Sequence, residues 1–130
     1  FNLAFKVNKD IKLLLVGALD SKNLRPISKE YIKASIRKSA NIEYLGEVKD
    51  VREIWKISNI AILPSKREGL PKSLLEAASA GRAIISTDVP GSREIAINSF
   101  NAETVMLGDV NALAKAIIYL SKNIRYDLSC

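Results

Sequence analysis

The sequence predicts an α/β fold in which a parallel sheet is covered by helices on both faces. Short apolar runs of strand length alternate with amphipathic stretches of helix length along the whole chain. The strand candidates are apolar almost without alternation, as in residues 10–17, which is typical of strands buried on both faces. No two strand candidates are joined by a hairpin-type turn, so parallel strands connected through helices are expected.

Each element is assigned from its apolar spacing and from the residues that start and stop it. The spacing in Phe1–Val7 predicts the last turns of a helix. Strands are predicted at residues 10–17, 41–45, 60–63, 83–86 and 104–107. Helices are predicted after the N-cap residues Ser28, Asp50 and Asp109, at 71–80 and at 92–97, with the last helix ending at Leu120.

Several helical side chains are expected to face the core. Trp55 is interpreted as a packing residue rather than one that stacks on a base. The expected inward-facing residues are Ile32, Ile36, Ala40, Val51, Ile54, Trp55, Ile57, Leu113, Ile117 and Leu120.

The composition limits what kind of protein this can be. The 130 residues are expected to form one domain, and 48% apolar content is enough for a hydrophobic core. No apolar run approaches the roughly 18 residues of a membrane span. The absence of His excludes Ser–His and Cys–His catalysis and any metal site with a His ligand. The single cysteine, Cys130, cannot form an internal disulfide and is compatible with a reducing compartment.

The net charge of +6 leaves three interpretations open. The basic residues can form a solvated surface, attract anionic lipid head groups or phosphates, or bind nucleic acid. Lys and Arg are spread along the chain without interleaved aromatic residues, and no nucleic-acid-binding module is recognisable, which argues against the last of these.

Residues 59–82 carry the strongest functional signal. They predict a buried strand, a polar loop and a helix whose first turn contains Pro71, the position that suits proline best. Pro71 has no N–H group, so the unpaired donors nearest the helix start belong to Lys72 and Ser73. These donors and the helix dipole predict a site for a phosphate-type anion. Gly81 can end the helix in the left-handed conformation.

Two carboxylates flank this predicted anion site. Glu68 precedes the helix, and Glu76 lies on it about 5–8 Å beyond the site. A carboxylate can accept two hydrogen bonds from a vicinal diol. An anion site between two hydroxyl acceptors suits a diphosphate that joins two polyols, and a nucleotide sugar is such a molecule.

The same residues resemble a known family. Glu68 and Glu76, inside Glu-Gly-Leu-Pro-(four residues)-Glu-Ala, look like the signature of retaining glycosyltransferases with two Rossmann-like domains, in particular glycosyltransferase family 4. Two segments resemble those of capsule and lipid-linked oligosaccharide enzymes: Ser-Lys-Arg-Glu-Gly-Leu-Pro, and Leu-Val-Gly-x-x-Asp beginning at Leu15. The likeness runs from about Ile11 to Leu120 and also includes Gly46, Pro64, Ser65, Gly81, Thr87–Gly91 and Glu94.

The resemblance implies a fold and a reaction. Residues 1–130 would be an incomplete Rossmann-like donor domain, the C-terminal half of a GT-B type enzyme, without the N-terminal acceptor domain, the first strand and the end of the last helix. A hexose would pass from a nucleotide sugar, UDP-linked, to a glycan or lipid-linked acceptor with retention and without a metal or cofactor. The expected location is cytoplasmic, with peripheral contact at the inner membrane face. The 130 residues alone are expected to bind donor weakly and to transfer nothing measurable.

The resemblance also assigns roles to residues. Glu76 would hold the ribose hydroxyls, and Glu68 would hold hydroxyls of the transferred sugar and matter for turnover. Gly17 would lie near the nucleotide, although a plain turn glycine explains it equally well. The residues implied to bind the donor are Glu68, Gly69, Leu70, Lys72, Ser73, Glu76 and Gly17.

Some alternatives stay open at this point. The chain could be a non-catalytic α/β remnant or a sugar-nucleotide-binding module without transferase activity. Lys66 and Arg67 are either surface charges or contacts to a phosphate-bearing acceptor, and Glu94 is read as structural rather than donor-binding. Ala83 replaces the proline usual in the family, and Ala102 replaces a glycine, so the turn at 101–103 is expected to have a different geometry.

Overall fold

A computed structural model describes residues 1–17, 28–39 and 41–123 of the chain. It divides into two compact units, Phe1–Val51 and Arg52–Cys130, and each is described by itself. The predictions for residues 18–27, for Ala40 and for residues 124–130 lie outside the described residues.

The described residues confirm the predicted α/β class. Every strand pairing among them is parallel, and helices alternate with strands along the chain. The helices are α1 Asn2–Val7, α2 Lys29–Lys38, α3 Val51–Ile57, α4 Lys72–Ser79 and α5 Val110–Asn123. The strands are β1 Leu13–Val16, β2 Ile42–Gly46, β3 Ile60–Leu63, β4 Ala83–Thr87 and β5 Ala102–Val105. A short 3₁₀ helix covers Ser92–Glu94.

The first unit contains a two-stranded parallel sheet of β1 and β2, against which α2 packs. Ser28 caps α2 as predicted, because its hydroxyl oxygen accepts a hydrogen bond from the N–H of Tyr31 at 3.1 Å. The Tyr44 hydroxyl donates to the carbonyl of Gly17 at 2.8 Å and so links the ends of the two strands. The first strand is shorter than the predicted 10–17 and begins only at Leu13.

The second unit contains a three-stranded sheet in the order β3–β4–β5. Helix α4 packs on β3 and β4, and α5 packs on β4 and β5. The core cluster joins these elements, and Trp55 packs against it, as its interpretation as a packing residue requires. The buried members of the cluster are Ala61, Leu74, Ala77, Ile84, Ile95, Ala96 and Ala102.

The predicted position of the last strand was wrong by two residues. The strand begins at Ala102, which is buried, rather than at Thr104. The positive φ of the preceding turn lies at Ser99, where it is 61°, so Ala102 does not need the freedom of a glycine. The Asn101 side chain closes this turn by accepting from the N–H of Ile97 and donating to the carbonyl of Ile95, both at 2.8 Å.

Three smaller predictions also need correction. The helix predicted at 92–97 is reduced to the 3₁₀ helix Ser92–Glu94. Ile57 was expected to face the core but is 69% exposed. The last helix continues three residues beyond the predicted Leu120, to Asn123, and Asp109 caps it as expected by accepting from the N–H of Ala112 at 2.9 Å.

Candidate functional site

The candidate site is built on the connection between β3 and α4 in the second unit. The β3–α4 loop, residues 64–70, leaves the carboxyl end of β3, and Pro71 then caps the helix. In a parallel sheet the carboxyl ends of neighbouring strands meet at one edge, which is where α/β folds bind ligands. The loop therefore lies at the same edge as the residues that follow β4 and β5.

The first turn of α4 presents free backbone donors. Pro71 is the N-cap rather than the first helical residue, with φ −71° and ψ 109°, and its carbonyl accepts from the N–H groups of Leu74 and Leu75 at 3.1 and 3.3 Å. In the described part of the chain, the N–H groups of Lys72 and Ser73 have no hydrogen-bond acceptor. Both residues are exposed and α4 has no acidic residue in its first turn, so the helix N-terminus can accept an anion.

The two acids of the predicted site lie on either side of this helix start. Glu68 is in the loop, and Glu76 is four residues after Lys72, about 6 Å along the helix axis. Both carboxylates are half-buried, and neither has a hydrogen bond or an ion pair with any described residue. The acids are therefore available to a ligand.

The far end of α4 is fixed by backbone hydrogen bonds. The N–H of Gly81 donates to the carbonyl of Ala78 at 3.0 Å, and the N–H of Arg82 donates to the carbonyl of Ala77 at 2.9 Å. Gly81 has φ 71°, as predicted for a helix stop, and the pattern is a Schellman motif. Leu74 and Ala77 are buried on the inner face, which leaves Lys72 and Glu76 together on the outer face.

The remaining predicted site residues, Gly69, Leu70 and Gly17, do not all belong to the loop. Gly69 and Leu70 are exposed in the loop, next to Glu68, and the side chain of Leu70 is 62% exposed. Gly17 belongs to the first unit. Its φ of 139° and its hydrogen bonds to β2 give it a turn function in its own right.

Two residues that contact the loop were missed as site residues. The hydroxyl of Thr87 donates to the carbonyl of Ser65 at 2.5 Å, and Gly91 lies against the backbone of Glu68 and Gly69. Both residues lie in the segment Thr87–Gly91, which we interpreted from the sequence only as a turn. The available signal was a glycine at the carboxyl edge of the sheet, where a close backbone approach calls for glycine.

Other charged residues near the site have simple environments. Lys66 and Arg67 are exposed, as is Glu94, whose side chain forms no hydrogen bond or ion pair with a described residue. Arg93 donates to the carboxylate of Asp88 at 2.6 Å and so braces the turn after β4. Within the described ranges, no three acidic or cysteine side chains lie close enough to hold a metal ion. Those ranges also contain no helix that is both long enough and apolar enough to cross a bilayer.

A cavity of about 530 Å³ lies away from the predicted site. It is lined by residues at the amino ends of β4 and β5 and at the end of α5, including Arg82, Glu103 and Tyr119. None of the predicted site residues lines it.

Comparisons with known proteins identify the family. The model of the family described as glycosyl transferases group 1 matches residues 2–123. An N,N'-diacetylbacillosaminyl-diphospho-undecaprenol alpha-1,3-N-acetylgalactosaminyltransferase from Campylobacter jejuni is 35% identical over 88 residues, which cover 68% of this chain and 22% of that protein. A capsular polysaccharide biosynthesis glycosyltransferase from Staphylococcus aureus is 26% identical over 117 residues, covering 90% of this chain and 30% of that protein.

A solved structure supports the fold. The sucrose-phosphate synthase from Thermosynechococcus elongatus superimposes with a TM-score of 0.78 at 23% sequence identity, over 92% of this chain and 31% of that one. The predicted fold of the two-Rossmann-domain glycosyltransferases is thereby confirmed. The chain spans less than a third of the length of each of these three proteins.

Proposed function

Because the chain belongs to the group 1 glycosyltransferase family, we propose that residues 64–76 bind the nucleotide-sugar donor of a retaining glycosyltransferase. One observation carries this proposal: with respect to the described residues, the N–H groups of Lys72 and Ser73 and the carboxylates of Glu68 and Glu76, which come before and after them in the chain, have no hydrogen-bond partner. The donor diphosphate binds at the helix N-terminus, and each acid binds hydroxyls on one side of it.

Each side of the diphosphate has its own recognition group. Glu76 accepts hydrogen bonds from both ribose hydroxyls, which a neutral amide could match only in part. Glu68 accepts from hydroxyls of the transferred sugar, and the exposed N–H groups of Gly69 and Leu70 approach the same ring. The side chain of Lys72 adds a positive charge near the diphosphate. The nucleotide of the proposed donor is UDP.

The chemistry follows from where charge develops. The bond between the anomeric carbon and the diphosphate oxygen breaks, and the diphosphate gains negative charge as it departs. The N–H groups of Lys72 and Ser73 lie where this charge forms, so they stabilise the transition state more than the ground state. The acceptor hydroxyl oxygen forms the new bond to the anomeric carbon, and its proton passes to the departing diphosphate oxygen. Neither a metal ion nor a cofactor takes part.

The acceptor is proposed to be a glycan or a lipid-linked sugar on the cytoplasmic side of the membrane. The relative from Campylobacter jejuni is named for a diphospho-undecaprenol acceptor and an alpha-1,3 linkage. An α-linked nucleotide sugar gives an α linkage only when the configuration is retained, which supports retention here. The acceptor binds outside the β3–α4 loop, and the net charge of +6 favours peripheral contact with anionic lipid.

Turnover of the natural-length protein tests the role of Glu68. Replacing Glu68 by Ala should lower kcat about 100-fold, because one group that acts on the reacting sugar is lost. Replacing Glu53 by Ala is the matched control, since Glu53 is exposed and its carboxylate pairs with Lys56 on the surface of α3. Both variants are assayed by release of UDP from a UDP-sugar panel in the presence of a lipid-linked acceptor.

Two results would decide against the proposal. Unchanged kcat in the Glu68→Ala protein would remove the catalytic role. Binding of nucleotide sugars without any turnover in the natural-length protein would favour the second interpretation, a sugar-nucleotide-binding module without transferase activity.

A further inference from the structure

The β3–α4 loop carries Glu68 but has few contacts of its own. Its residues form no helix or strand, and Lys66, Arg67, Gly69 and Leu70 are all exposed. Among the described residues, its backbone takes part in a single hydrogen bond, the one that Ser65 accepts from Thr87. The position of Glu68 must therefore depend on the residues against which the loop packs.

Thr87 holds the start of the loop. It is the last residue of β4, it is only 4% exposed, and its hydroxyl donates to the Ser65 carbonyl at 2.5 Å. The Thr87 backbone is itself fixed, because its carbonyl accepts from the N–H of Val89 at 3.0 Å and from the hydroxyl of Ser86 at 3.1 Å. A donor anchored in the sheet therefore sets where the loop begins.

Gly91 holds the part of the loop that carries the acid. A Cβ at this position would overlap the carbonyl oxygens of Glu68 and Gly69 and would lie 2.9 Å from the carbonyl carbon of Glu68. These are backbone atoms, which cannot rotate away as the end of a flexible side chain can. The φ of Gly91 is 85°, a conformation that also favours glycine. The loop and the turn thus meet backbone to backbone.

The turn that presents Gly91 is braced from both ends. Asp88 donates its N–H to the carbonyl of Val105 in the neighbouring strand at 2.8 Å. The side chain of Arg93 donates to the carboxylate of Asp88 at 2.6 Å, across the turn. Ser92, the next residue after Gly91, is fully buried. A rigid turn of this kind can set the position of a loop that touches it.

From these contacts we propose that Thr87 and Gly91 are positioning residues for Glu68. They fix the β3–α4 loop at Ser65 and at Glu68–Gly69, so that the Glu68 carboxylate meets the sugar of the donor. This inference rests on the proposed function, since it assumes that Glu68 recognises the sugar part of a nucleotide sugar. It predicts that disturbing either contact lowers the affinity for the sugar without lowering the affinity for the nucleotide to the same extent.

Paired titrations of the 130-residue chain test the inference. Ligand-observed NMR gives the dissociation constants for UDP and for UDP-N-acetylgalactosamine or UDP-galactose, and their ratio measures the contribution of the sugar. Gly91→Ala should reduce this ratio at least fivefold. Gly108→Ala is the matched control, because Gly108 has almost the same φ of 84° but no atom within 4 Å of its would-be Cβ.

A second pair of variants covers the case in which Gly91→Ala fails to fold. Thr87→Val removes the hydroxyl at nearly constant shape and should also reduce the ratio. Thr87→Ser keeps the hydroxyl and should leave the ratio as in the wild type. If Gly91→Ala and Thr87→Val leave the ratio as in the wild type, or if Gly108→Ala lowers it equally, the positioning role is wrong and the proposed function stands. If the wild-type chain binds no nucleotide sugar, the proposed function fails and the inference fails with it.

Discussion

Glu76 is a half-buried helix carboxylate without a partner among the described residues. Charged side chains in such positions usually form a hydrogen bond or an ion pair, because partial burial removes water from the charge. Here the neighbour one turn earlier is Lys72, whose side chain points to solvent and makes no ion pair with Glu76. A ligand with hydroxyl groups would supply the missing donors.

The Glu76→Ala variant of the 130-residue chain tests this role. Loss of hydrogen bonds to a charged acceptor costs about 1.5–3 kcal/mol, so the affinity for UDP should fall at least tenfold. Glu103→Ala is the matched control, because Glu103 is also half-buried but lies at the amino end of β5. Equal UDP affinities of the wild type and the Glu76→Ala chain, measured by ligand-observed NMR, would show that Glu76 does not bind ribose.

The sequence predicted roles for Glu68 and Glu76 but not for Thr87 and Gly91, which contact the loop that carries Glu68. Glu68 and Glu76 could be recognised because their types and spacing fit a diol–diphosphate–diol ligand within a single strand–loop–helix segment. Thr87 and Gly91 act across the sheet, 22 residues from the loop in the case of Thr87 and Ser65. Such a contact depends on which strands are neighbours, and that information is absent from the local pattern.

At the scale of elements, α4 connects the core to the candidate site. Its inner face buries Leu74, which is 1% exposed, while the adjacent Leu75 is 41% exposed. The sequence predicted the helix and its glycine stop correctly, but it did not indicate which of the two leucines is buried. Burial of the inner face fixes the axis of α4, and the axis determines where the N–H groups of Lys72 and Ser73 point.

A matched pair of substitutions measures this anchoring. Leu74→Ala should lower the free energy of unfolding by about 2–5 kcal/mol, since it leaves a cavity in the core. Leu75→Ala should cost less than about 1 kcal/mol, because half of that side chain is already in water. Urea denaturation followed by the fluorescence of Trp55 reports on the unit that contains both residues. Equal losses in the two variants would contradict the described burial.

The wrong position predicted for the last strand has a local cause. The last strand was predicted at 104–107, after a turn at 101–103 in which the family usually has a glycine. The chain instead uses Ser99 for the left-handed residue and the Asn101 side chain to pair the turn backbone, so the strand begins at Ala102. Side-chain hydrogen bonds to nearby backbone groups replace the glycine geometry, and a propensity argument does not foresee that choice.

At the scale of the whole molecule, the α/β class followed from the alternation of strand and helix signals and was confirmed. The division into two units and the grouping of the strands into a two-stranded and a three-stranded sheet were not predicted, because the pattern gives strand type but not strand partners. The proposed function therefore depends on the geometry of the β3–α4 connection, not on bulk properties.

Donor binding at the start of α4 can be observed residue by residue by NMR. The amide resonances of the isotope-labelled chain are followed while UDP-N-acetylgalactosamine is added. We expect the largest shifts at Lys72 and Ser73, with further shifts at Glu68 and Gly69. Shifts confined to other residues, such as those lining the cavity at Arg82 and Tyr119, or no shifts at millimolar ligand, would contradict donor binding at the start of α4.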